Sequence, residues 1–72
     1  MDSRIFNRTA LIWTSDCRRL ETFRRGDRVK NVRRMGRGVI FEPVDPYRIA
    51  ATFTMNWDEF MTMTDAVHQA KA

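Results

Sequence analysis

Eleven of the 13 basic residues in this chain are arginine, and eight of those fall between residues 18 and 37: Arg18, Arg19, Arg24, Arg25, Arg28, Arg33, Arg34 and Arg37. A guanidinium is a planar fork of five donors that stays charged and pairs two-point with phosphate or carboxylate. The chemistry on offer is recognition of anions rather than the making of bonds. Residues 1–38 hold eleven Arg and Lys against four acids, whereas residues 39–72 hold two against five. A basic half joined to an acidic half implies an electrostatic footprint on one side and an anionic partner. The bland alternative is a solvated face that keeps a small domain soluble. Arg24, Arg25, Arg28, Arg33, Arg34 and Arg37 are the candidate nucleic-acid contacts, each able to release counterions from a phosphate.

Other residue types offer less. Cys17 and His68 are the single cysteine and the single histidine, too few for a zinc set. As a nucleophile pair they would meet only by accident of folding, with nothing to supply an oxyanion hole. Asp58, Glu59 and Asp65 suit helix capping and solubility better than acid–base work. No catalytic residue, cofactor or metal is expected, and the chain does not read as an enzyme. Arg25-Gly26-Asp27 matches the cell-adhesion tripeptide by chance.

Size points the same way. At 72 residues the chain is one domain, which leaves little material for the walls of a deep cleft. Hydrophobic residues at 43% suffice for a core and argue against whole-chain disorder. A lone cysteine excludes an internal disulfide and suits a reducing cytoplasm. No signal-like or membrane-spanning apolar run is present.

The elements that position the arginines follow from local pattern. Residues 1–8 read as a loose end. Thr9–Thr14 is β-branched and aromatic, hence a strand, and Ser15-Asp16 a turn. Cys17–Phe23 fits a short helix or a strand. Arg25-Gly26-Asp27 is a turn, residues 28–32 a strand, residues 33–38 a tight loop with two glycines, and residues 39–42 a strand. Pro43 and Pro46 bracket a turn. From Tyr47 to Met55 the alternation puts Ile49, Ala51, Phe53 and Met55 on one face. Asn56, with Glu59 three residues on, resembles a capping box. Phe60, Met63, Val67 and Ala70 then form a helical stripe, which leaves Met61 outside it. The expected fold is therefore mainly β (α+β): an antiparallel barrel or curled sheet over 9–55, covered by one C-terminal helix over 56–71.

Gly26-Asp27-Arg28-Val29, then Gly36-Arg37-Gly38-Val39-Ile40, then a strand ending in Asn56-Trp57-Asp58, resemble the SH3-like small barrel of the Tudor, KOW or CarD type. The likeness covers roughly residues 23–58. In such modules a Gly-Asp turn launches the first barrel strand, a Gly-x-Gly loop leads to the second, and a later strand ends in an aromatic-Asp pair. The helix expected here replaces the short turn and last strand of that pattern, and residues 9–23 have no counterpart. The resemblance implies a non-catalytic module that binds RNA polymerase, ribosomes or nucleic acid.

The aromatics carry a second expectation. Trp13, Phe41, Tyr47, Phe53 and Trp57 are either a base-stacking platform among arginines or core, and Phe53 reads as core. Phe41 and Tyr47, with Arg37, are the candidate contacts for a protein partner. The function expected is a small regulatory binding protein acting on nucleic acid or a nucleic-acid machine such as RNA polymerase, of a size that suits a phage or plasmid accessory protein. The alternative is a protein–protein module or inhibitor that uses its arginines on an acidic protein surface. The sequence leaves oligomeric state open.

Overall fold

The computed structural model describes residues 3–44 and 51–67. Its framework is a two-residue periodicity in chain segments rich in Val, Ile, Phe and Thr. In β5 (Gly38–Pro43) Val39 and Phe41 are buried and their neighbours are not. In β2 (Ala10–Trp13) Ala10 and Ile12 are buried while Leu11 and Trp13 face out. Each such strand packs one face and solvates the other.

Among the described residues seven strands and one helix follow in order: β1 (Arg4–Phe6), β2, β3 (Leu20–Phe23), β4 (Arg28–Met35), β5, β6 (Phe53–Asn56), α1 (Trp57–Met63) and β7 (Thr64–Ala66). Five form one sheet in the order β6-β5-β4-β1-β7, and β2 pairs with β3 in a second. All pairings are antiparallel. A bridge from Thr14 to Phe53 joins the sheets. The result is mainly β, a curled sheet with one helix near its C-terminal end, and not a closed barrel.

The core is built from phenylalanine. All five, Phe6, Phe23, Phe41, Phe53 and Phe60, are buried. Phe6 stacks on Phe23 with ring centroids 4.9 Å apart, and Phe41 on Phe60 at 4.8 Å. Phe23 meets Phe53 edge-on at 4.9 Å, the other favourable aromatic geometry. Phe53 is core, as its alternation implied.

Three expectations change and one open reading is settled. Residues 1–8 are not a loose end, because Arg4–Phe6 is a strand held between β4 and β7. Phe6 supplies the reason: one large apolar side chain, 1% exposed, offsets the ordering of a short segment that has little other apolar content. Cys17–Phe23 resolves as a turn and a strand, with Leu20–Phe23 matched residue for residue to Ala10–Trp13. The loop after β4 is only Gly36-Arg37, since Met35 pairs with Gly38 and Arg33 and Arg34 belong to the strand. Gly36 takes φ +61 at the first of the two turn positions, a conformation glycine adopts at no steric cost in hairpin turns.

The helix is also shorter than the stripe implied. Asn56 caps it as expected, its side-chain oxygen accepting from the amides of Asp58 and Glu59 at 2.9 and 3.2 Å. But α1 ends at Met63, and Thr64–Ala66 becomes β7 against β1. Arg4 decides this, with Nε donating to Thr64 Oγ1 at 2.6 Å and Nη2 to the Thr64 carbonyl at 2.8 Å. Val67 therefore lies outside the helix, and Ala70 outside the described residues. Met61 is exposed, as its place off the stripe implied.

Candidate nucleic-acid interface

The arginines separate according to strand parity. Val29 is buried at the centre of β4's first half, so Arg28 and Lys30 face away from the core. A bulge between Lys30 and Arg33, with Asn31 at φ +52, resets the alternation. Beyond it Arg33 stands opposite Ile40 and Arg34 opposite the buried Val39. Arg33 thus shares the outward face with Arg28 and Lys30, although the sequence spacing of 28, 30 and 33 is not that of a regular strand. Arg34, its neighbour, goes to the other face and lies over the Trp57 ring at 4.9 Å.

The outward row of three cations runs along β4, the central strand of the five-stranded sheet. Half-buried Ile5 and Ile40 flank it on β1 and β5. Its carboxylates lie to the sides. Glu42 faces Lys30 across the ladder and accepts from Asn31 Nδ2 at 3.1 Å. Asp65 sits opposite Ile5 on β7 and accepts from Asn7 Nδ2.

Arg24 and Arg25 are exposed in the turn that launches β4. Asp27 closes it, its carboxylate accepting from the Arg24 amide at 2.8 Å while its own amide donates to the Arg24 carbonyl at 2.9 Å. Gly26 at φ +96 completes that turn. Arg37 stands exposed at the β4–β5 hairpin tip. Arg18 and Arg19 occupy the β2–β3 turn, where Asp16 accepts from the Thr14 hydroxyl at 2.6 Å and the Arg18 amide at 3.0 Å. Those two hydrogen bonds, the Thr14 one first, hold the Asp16 carboxyl below the usual carboxylate range.

The expected cluster is therefore split. Arg28 and Arg33 are brought into one row, and Lys30, not among the residues expected from the sequence, completes it. The signal for Lys30 was present: it is two residues from Arg28 across a buried valine. Arg34 is drawn off to Trp57, and Arg33, Arg34 and Arg37 do not share a loop. Among the partner candidates Phe41 is corrected outright, since it is fully buried and its ring is committed to Phe41–Phe60 and Phe41–Phe53 packing. Tyr47 lies outside the described residues. Of the aromatics weighed as a stacking platform, Trp57 is half-buried beneath Arg34 and Trp13 is half-exposed on β2.

Among the described residues no helix is long and apolar enough to cross a membrane. No family model matches the chain, and no curated protein or solved structure does either.

Proposed function

We propose that this chain is a small, non-enzymatic regulatory binding protein that acts in the cytoplasm on nucleic acid or on a nucleic-acid machine such as RNA polymerase. The observation that carries the reading is the outward row of Arg28, Lys30 and Arg33 on β4. Arg28 and Lys30, as alternate residues of a strand, lie about 6.6 Å apart, and the bulge returns Arg33 to the same face, so the row offers successive donors to a phosphate backbone. Contacts of this kind position a nucleic acid without reading its sequence.

An SH3-like framework is part of the proposal. Gly26-Asp27 launches β4, Gly36-Arg37-Gly38 carries it into β5, and Trp57-Asp58 follows β6. After α1 comes the last strand, β7, that the pattern calls for and the sequence reading left out. The hairpin of β2 and β3 fills the segment that had no counterpart.

The test is binding to duplex DNA, single-stranded DNA and RNA over a range of salt. Replacing Arg28, Lys30 and Arg33 together by Ala should weaken binding and lower the slope of log K against log salt by about 2.7 on duplex, at roughly 0.9 per lost contact. Arg34→Ala should leave the slope where it was. An unchanged slope and affinity in the triple variant refutes this face as the phosphate contact.

A further inference from the structure

Where β2 and β6 part company the protein has a second surface of opposite character. Thr14 N–H donates to the Arg19 carbonyl on the β3 side, and Ser15 N–H to the Thr52 carbonyl on the β6 side. Backbone groups alternate in direction along a strand. Trp13 and Leu11 therefore aim theirs the same way as Ser15, towards β6. On β6, Trp57 N–H donates to the Arg37 carbonyl beyond β5, so Asn56 aims its backbone the opposite way, towards β2. The two strands are in register to continue an antiparallel ladder.

They do not continue it. The pairing stops at Thr14 and Phe53, and no pairing joins Ile12 to Met55. A cleft of about 320 Å3 opens there instead, between the β2 edge, the β6 edge and the helix. Leu11 at 63% and Trp13 at 50% exposed stand on one side, with Met55 and Met63 on the other. Among the described residues Glu59 is the one charged residue that lines it. Among the described residues no arginine or lysine lines this cleft, so those residues offer a phosphate backbone no cation here.

We propose that this cleft takes a short extended segment of a partner protein, one that carries an apolar residue and a nearby lysine or arginine. Its main chain bonds to the strand edge at Leu11, as in strand addition. Its apolar side chain packs between Trp13 and the two methionines, whose flexible thioethers adapt to the shape presented. Its cation reaches Glu59. The cleft and the β4 row lie on different parts of the molecule, so the protein holds a basic peptide and an anionic backbone at once.

Selection from a random octapeptide library against the immobilised full chain tests this. The expected result is enrichment of peptides with a basic residue close to an apolar one, bound at micromolar strength. These should protect the Leu11 amide in hydrogen exchange. Leu11→Arg and Glu59→Lys, both at exposed positions, should each weaken the selected peptides at least tenfold. The Arg28, Lys30 and Arg33 triple variant should bind them within twofold of the original chain. The proposal is overturned by any of four results: no peptide enriched above the blank support, an acidic consensus, equal binding by Leu11→Arg and Glu59→Lys, or protection of Leu11 by an oligonucleotide rather than by peptide.

Discussion

Phe6→Ala is the sharpest test of the fold, because it strikes the segment whose sequence reads as a loose end. Phe6 is 1% exposed. Its ring stacks on Phe23 at 4.9 Å and meets Phe41 and Phe60 at 6.2 and 6.3 Å. Truncating a fully buried phenylalanine costs about 3–5 kcal/mol, part transfer and part cavity. A domain of 72 residues has a total stability of about 4–11 kcal/mol. The substitution should therefore remove a large share of the whole and leave a partly unfolded protein at the low end. Urea titration followed by circular dichroism measures it, with the midpoint falling and the slope held. Phe6→Leu keeps most of the apolar volume and should cost clearly less. A loss below about 1 kcal/mol for Phe6→Ala refutes the reasoning, and returns residues 4–6 to a frayed end.

The remaining expectations concern single contacts. Asn56→Ala removes the acceptor for two helix amides and should cost about 1 kcal/mol in thermal unfolding. Arg34→Ala should shift the Trp57 indole resonance and cost about 0.5–1 kcal/mol by loss of the cation–π contact at 4.9 Å, while Arg33→Ala changes stability by less than about 0.5 kcal/mol. Asp16 should titrate by NMR below the ordinary carboxylate midpoint of about 3.9. Because its folded pKa is lowered, its stabilisation is present above the unfolded value and is lost as pH falls through the folded one. Thr14→Val removes the largest cause and should raise that midpoint.

Much of the architecture is local and so was legible in the residues. The strands at 10–13 and 38–43 and the first part of β4, residues 28–32, follow from β-branched and aromatic residues, and the turns between them from Gly26-Asp27 and Gly36. Asn56 as helix cap and Phe53 as core were equally plain, since capping and alternation act over three or four residues. The charge asymmetry that motivates an anionic partner is a property of composition and needs no fold.

What the tertiary structure alone decided is where long-range pairing competes with local pattern. The stripe from Phe60 to Ala70 favours helix, yet Thr64–Ala66 gains a ladder with β1 and two hydrogen bonds from Arg4, sixty residues away. β1 itself has no local signal, and is a strand because β4 and β7 flank it. The arginines divide for the same kind of reason. A one-residue bulge at Asn31 sends Arg33 to the outer face and Arg34 to Trp57. No spacing rule within β4 foretells a bulge whose cause is its register with β5.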